Sequence, residues 1–332
     1  MHYVIIGCGS AGRAALFQIR KHEPNAKLTV VSDEADPFYL RPYLGYYLIN
    51  EKLPEAQKLA DSDLRELTGI DFKLGVKVNR VIPKENTVEL TDGSRLQYNF
   101  LLVASGTRFW PQELAPEGIA CYTLKTRADA KRLKRLTDDV EAVLVYGGGY
   151  QALELMRIFH LKGKKASWLA PPGFFWPRKL PNVTAIEVKE MMKELGLDVR
   201  TDRRITHALD LDGYRYRITD DQGDTYDCDL LVLAPHEAPR IEFMLDSGVH
   251  IDRGILVNEE LKTNIPNIFA AGDCAQVYDI NSGVSVVNFG WKSAAKQGQV
   301  AGDNMTGNNQ VVIPTQDEFV LDLMGKKLLE RW

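Results

Sequence analysis

Two glycine-rich turns carry the first chemistry legible in this chain. Gly7-Cys8-Gly9-Ser10-Ala11-Gly12 follows the apolar run from His2 and opens a helix pattern through Ala14, Ala15, Leu16 and Ile19. G-x-G-x-x-G between a strand and a helix is a cradle for a dinucleotide pyrophosphate. Gly7 permits the tight turn, Gly9 lets backbone approach the phosphates, and Gly12 lets the helix sit close to the sheet. At Ser10 and Ala11 the unpaired N–H groups and the positive helix end face the anion. A second strand, Lys27–Val31, ends in Ser32-Asp33-Glu34. Asp33 stands about 20 residues past Gly12, where an acid takes the adenosine ribose hydroxyls, with Glu34 beside it. The second turn, Gly147-Gly148-Gly149-Tyr150-Gln151-Ala152, follows the buried-strand pattern Glu141–Tyr146 and opens a helix through Leu153, Leu155, Met156 and Phe159. It reads G-x-G-x-x-A, an accepted variant, with Gly147, Gly149, Tyr150 and Gln151 as candidate contacts.

The elements that position these turns need two cores. A chain of 332 residues suits two domains. With 45% apolar and 26% charged residues it has the balance of a soluble globular protein. A net charge of −4 gives no basic field for nucleic acid or an anionic membrane. No apolar run approaches the roughly 18–20 residues of a membrane span, and no export signal opens the chain, so the expected location is the cytoplasm. Cys8, Cys121, Cys228 and Cys274 lie far apart without a C-x-x-C pair. That spacing argues against a disulfide framework, a zinc site, an iron–sulfur cluster and a redox dithiol, and no metal site is expected.

Other segments carry a resemblance. Thr263-Asn264-Ile265-Pro266-Asn267-Ile268-Phe269-Ala270-Ala271-Gly272-Asp273 resembles the T-x-x-P-x-I-F-A-A-G-D signature of the two-dinucleotide flavoprotein reductases. Ala104-Ser105-Gly106 resembles that family's A-T-G crossover, with serine for threonine, and Trp291 to Gly298 resembles the helix after its G-D motif. Together these make the chain similar to the pyridine nucleotide–disulfide oxidoreductase superfamily, nearest the rubredoxin/ferredoxin reductases and the flavin domain of assimilatory nitrite reductases. The resemblance implies a glutathione-reductase-like α/β fold of two Rossmann-like three-layer domains, the second inserted in the first. It implies FAD in the first cradle, with Asp273 holding a ribityl hydroxyl from the tight turn at Gly272, Arg41 and Pro42 near the phosphates, and Ala104, Ser105 and Gly106 at the crossover. It also implies NAD(P)H at the second cradle, with Glu154 and Trp291 shaping the nicotinamide face. Tyr46 replaces a lysine that lies beside the flavin in relatives.

The second cradle departs from its family. The strand Lys165–Leu169 ends at Ala170-Pro171-Pro172, where an acid stands for NADH or an arginine for the NADPH phosphate. An aromatic run, Phe174-Phe175-Trp176-Pro177-Arg178-Lys179, follows. It is open to four readings: stacking on adenine, filling an empty adenosine pocket, facing a partner, or ordinary packing. Ala234-Pro235-His236-Glu237-Ala238-Pro239 occupies the stretch where relatives carry G-x-x-P-N.

The expected boundaries are 1–112 with 238–310 for the FAD domain and 113–237 for the inserted domain. The inserted domain is expected to hold a helix near 183–195, closed by Gly196, then strands around 197–200, 204–210, 214–219 and 226–233. The tail, 311–332, resembles the first hairpin of the family's C-terminal interface domain, here truncated; an amphipathic helix is the rival reading. The resulting expectation is an FAD-dependent oxidoreductase passing electrons from NAD(P)H to a ferredoxin-like, rubredoxin-like or iron–sulfur protein, working as an oligomer or complex. The alternatives are an FAD relay subunit of a larger redox complex that has lost nicotinamide binding, and a structural FAD-bound module.

Overall fold

The computed structural model describes residues 1–49, 69–110, 114–174, 185–213, 215–287, 290–313, 318–323 and 326–331. Labelled in chain order, the strands of its two parallel sheets are β1 (His2–Ile6), β2 (Lys27–Ser32), β3 (Ile70–Leu74), β4 (Phe100–Val103), β5 (Ala142–Gly147), β6 (Lys165–Ala170), β7 (Asp198–Thr201), β8 (Leu230–Ala234) and β9 (Ile268–Ala270). The helices are α1 (Ser10–His22), α2 (Leu44–Leu48), α3 (Arg127–Thr137), α4 (Gly149–Leu161), α5 (Ala185–Glu194) and α6 (Trp291–Met305).

The chain divides into two compact units, one of Met1–Leu40, Pro54–Arg108 and Pro239–Asp317, the other of Arg41–Leu53, Phe109–Ala238 and Glu318–Trp332. In the first, a five-stranded sheet runs in the order β9-β4-β1-β2-β3. All its pairs are parallel. Val4, Ile5, Leu101 and Leu102 are fully buried, as strands covered on both faces must be. α1 buries Ala11, Gly12, Ala15, Leu16 and Ile19, an i, i+3/i+4 stripe of mostly small residues. α6 buries Ala294, Gly298, Ala301 and Gly302. A Cβ on Gly298 would overlap the Ala11 carbonyl, and one on Gly302 would lie 2.8 Å from that of Ala15. The two helices therefore run parallel with backbones nearly touching, and their N-termini share one end of the unit. The ribbon of Val78–Ile82, Thr87–Leu90 and Arg95–Gln97 adds Val81, Val88 and Leu90 to the same core, its last two strands joined through the turn at Gly93.

The second unit repeats the plan. Its sheet runs β7-β6-β5-β8, with the short strand Cys121–Tyr122 beyond β8. An antiparallel meander of Ile205–Asp210, Tyr216–Asp220 and Thr225–Cys228 shares a core with Leu144, Tyr146, Leu169, Leu231 and Leu233. The segment 226–233, read from sequence as one strand, is two. Asp229 separates them, and its Oδ2 accepts the Glu141 and Ala142 N–H groups at 2.8 and 2.9 Å, pinning the start of β5. Residues 41–49 group with this unit because Leu44, Gly45 and Leu48 of α2 are buried there, and Lys162 Nζ donates to the Leu48 carbonyl. Glu318–Leu323 and Lys326–Arg331 pair antiparallel, so of the two readings of the tail the hairpin holds.

Candidate functional site

In the first unit three loops meet at the carboxyl end of β1. Gly7 sits at φ +106, and a Cβ there would overlap the Ala104 carbonyl, so the turn after β1 and the end of β4 are in backbone contact. Ala104 N–H in turn donates to the Ile6 carbonyl at 2.8 Å. A Cβ on Gly12 would overlap the Gly7 carbonyl, whereas Gly9, the N-cap of α1 at φ −90, has nothing within 4 Å of its Cβ position. The first intrahelical bond is Arg13 N–H to Gly9, which leaves the N–H groups of Ser10, Ala11 and Gly12 ahead of the helical ladder. No acid occupies that first turn. Open space beside a glycine facing a bare helix N-terminus is the shape and charge a pyrophosphate requires.

The third loop is Gly272-Asp273. Gly272, at φ +81, lies so close that its Cβ position is 3.1 Å from Ala11 Cβ and 3.4 Å from Ala294 Cβ. Its N–H donates to Oε1 of buried Gln297 at 2.8 Å. Asp273 Oδ1 accepts the N–H of Gly290, the N-cap of α6, at 3.1 Å. The turn thus holds a carboxylate beside two helix N-termini, and Gln297 holds the turn. Ser105 Oγ donates to the Arg240 carbonyl at 2.6 Å, and Arg240 N–H donates to Gly106 at 2.9 Å.

The structure gives Asp33 a partner that sequence reading missed. Arg240 pairs with Asp33 Oδ2 at 2.7 Å, reaching from the β4 end to the β2 end, on either side of β1. Glu34 Oε2 accepts the Tyr39 hydroxyl at 2.5 Å. Arg41 and Pro42 form an exposed turn of the second unit, where Arg41 Nη1 donates to the Lys125 carbonyl at 2.9 Å. Trp291, exposed, begins α6. Between the outer faces of α1 and α6 lies a groove of about 450 Å³ whose lining includes Arg13, Phe17, Trp291, Lys292 and Lys296 and no acid.

In the second unit Gly147 (φ +127) meets the Ala234 carbonyl just as Gly7 meets Ala104. Trp168 Nε1, buried, donates to the Gly147 carbonyl at 2.9 Å. Gly149 sits at φ +67 as the first residue of α4, and Tyr150 beside it is exposed. Gln151 Nε2 is turned away to the Leu124 carbonyl at 2.6 Å. Glu154 receives Arg157 Nε and Nη2 at 2.9 and 2.8 Å and lies against Gly45. Ala170, fully buried at the end of β6, offers no carboxylate. Phe174 stacks on His236, ring centroids 3.8 Å apart at 12°. The rest of the aromatic run, from Phe175, lies outside the described residues.

None of the four cysteines is in a disulfide. Burial pushes the Cys121 thiol up to about 11 and Cys228 up to about 12. Burial likewise raises Cys274, so these three are poor thiolates at neutral pH.

Two dinucleotide folds in one chain, the first with a carboxylate turn at its cradle, define a class of two-cradle redox protein. The chain belongs to the pyridine nucleotide-disulphide oxidoreductase family, whose model matches residues 1–302. Among curated proteins it is 24% identical to a rubredoxin-NAD(+) reductase of Pseudomonas putida, over 99% of this chain and 86% of that protein. It is 26% identical to the epsilon subunit of an NADH-dependent phenylglyoxylate dehydrogenase of Aromatoleum evansii, over 92% of this chain and 72% of that one. Among solved structures, an NAD-dependent persulfide reductase from A. fulgidus matches with a TM-score of 0.86 at 24% identity. It covers 98% of this chain, which spans 62% of that structure's length. FAD as bound cofactor and NAD(P)H as nicotinamide cofactor go with this family, and the chain is an oxidoreductase. Among the described residues no helix is long and apolar enough to cross a membrane.

Proposed function

We propose that this protein transfers electrons from NAD(P)H, by way of FAD in the first unit, to an iron–sulfur or rubredoxin-like protein. The observation that carries the reading is the meeting of α1, α6 and the Gly272-Asp273 turn at one end of the first unit. The N–H groups of Ser10, Ala11 and Gly12 take the FAD pyrophosphate, and Asp33 or Glu34 takes the adenosine ribose. Asp273 holds a ribityl hydroxyl while fixing Gly290, and the N-terminus of α6 faces negative charge on the cofactor. The bound flavin supplies two-electron acceptance and one-electron release; the chain supplies position and electrostatics. Glu154, braced by Arg157 in the second unit, is assigned to the nicotinamide.

Poor thiolates at Cys121, Cys228 and Cys274 support direct electron delivery over dithiol chemistry. A cationic, aromatic groove beside α6 suits an acidic protein acceptor. The relative from Pseudomonas putida is named for rubredoxin and NAD(+). We place the protein in the cytoplasm as part of a complex with its acceptor. A second reading, an FAD relay that does not use nicotinamide, draws on Ala170 and on the ring stack at the second cradle.

The test is anaerobic mixing of FAD-loaded protein with NADH and a [2Fe–2S] ferredoxin or a rubredoxin. We expect the acceptor's visible bands to bleach only when the flavoprotein is present. Flavin that NADH reduces but that leaves both acceptors oxidised contradicts the acceptor assignment.

A further inference from the structure

The second cradle carries a contact that the proposed electron transfer does not use. Its turn leaves β5 at Gly147, between β6 and β8. The register aligns Tyr146 with Leu169 on one side and Gly147 with Ala234 on the other, so all three strands end at one level. Beyond β6 the chain turns through Pro171–Phe174, closed by Phe174 N–H to the Pro171 carbonyl at 3.0 Å. Beyond β8 it passes Pro235 to His236. The rings of Phe174 and His236 meet face to face, centroids 3.8 Å apart. Leaving the sheet on opposite sides of β5, they can touch only by crossing its end. In open α/β sheets that crevice, outside the carboxyl ends of the strands, is where the dinucleotide lies.

We infer that Phe174 and His236 form an aromatic clasp across the second cradle, and that opening this clasp sets the cradle's affinity for a nicotinamide dinucleotide. The inference rests on the reading that the Gly147 cradle takes such a ligand. Two facts make the clasp a determinant of affinity rather than incidental packing. Ala170 offers no carboxylate to the adenosine ribose, so that contact does not help a ligand compete with the stack. Phe174 also packs against the core containing Tyr146 and Leu169, which adds apolar burial to the closed state. A ligand that binds only the open form has its affinity reduced by the open fraction. A clasp closed about nine-tenths of the time weakens NADH binding about tenfold. The cradle glycines set whether phosphates can approach, and the clasp sets how often they do.

The experiment uses FAD-loaded full-length protein and two readouts. NMR of histidine-labelled protein reads the clasp without nucleotide: stacking on Phe174 displaces the His236 ring protons upfield, and Phe174→Leu removes the displacement while keeping apolar bulk on the core. Calorimetric titration with NAD+, which cannot reduce the flavin, reads its effect: Phe174→Leu and Phe174→Ala are each expected to bind about tenfold tighter than the parent, and NAD+ added to the parent moves the His236 signals downfield. Absence of the upfield displacement in the parent overturns the inference. So do variants that lose it yet bind NAD+ no more tightly, even where NADH still reduces the parent's flavin. Failure of the proposed function is a separate result, with flavin in the parent and both variants staying oxidised under excess NADH.

Discussion

Gly7→Ala is expected to yield a destabilised protein that leaves gel filtration without flavin. Gly7 holds φ +106, a conformation costing an L-residue roughly 1–2 kcal/mol. The new methyl would also overlap the Ala104 carbonyl, which is backbone of a residue whose N–H is held by the Ile6 carbonyl at 2.8 Å, so no flexible side chain can yield. Overpacking of this kind costs about 1–3 kcal/mol more. The sum is a large part of the about 5–15 kcal/mol that holds a domain together. Gly9→Ala separates stability from binding. Its Cβ meets nothing within 4 Å and its φ of −90 suits any residue, so the fold should keep its melting temperature. The methyl instead fills the space into which a pyrophosphate must come. We expect Gly7→Ala to lower both Tm and the 450/280 nm absorbance ratio, and Gly9→Ala to lower the ratio alone. Full flavin content in Gly9→Ala would remove the first cradle from the phosphate site.

Asp273→Ala is expected to weaken FAD binding about ten- to hundredfold. The carboxylate accepts the Gly290 N–H at 3.1 Å and is assigned a ribityl hydroxyl as well. A hydrogen bond to a charged group contributes about 1.5–3 kcal/mol, and each 1.4 kcal/mol is a factor of ten in affinity. Asp273→Asn keeps an acceptor for Gly290 and should recover part of the loss. The measurement is flavin fluorescence quenching on titrating apoprotein with FAD. Equal dissociation constants for Asp273→Ala and the parent would contradict the ribityl assignment.

Local signals made half of this site legible from sequence. Gly7 to Gly12 can be read because strand, turn and helix are contiguous, and each glycine answers a steric demand within a few residues or from the next strand. Gly272-Asp273 was legible only by resemblance, and what fixes it is distant: Gln297 on the turn's N–H and Ala11 and Ala294 against its Cα. The pairing of Gly298 and Gly302 with the Ala11 and Ala15 carbonyls joins residues almost 290 positions apart and leaves no periodic trace. Arg240 on Asp33 and Phe174 on His236 were missed for the same reason, since each joins two loops at the ends of different strands. Arg41 is assigned by resemblance of its motif, and it sits with α2, whose buried Leu44 and Leu48 group that segment with the second unit. A motif names a residue type; packing decides which unit holds it.

FAD held at the first cradle is expected to take its electrons from a nicotinamide dinucleotide. An anaerobic absorbance titration of the FAD-loaded protein with NADH and with NADPH tests it most directly. Loss of the oxidised flavin bands is expected with one of the two, near one equivalent per flavin at concentrations above the dissociation constant. Flavin that stays oxidised under excess of both, yet is bleached by dithionite, would contradict it.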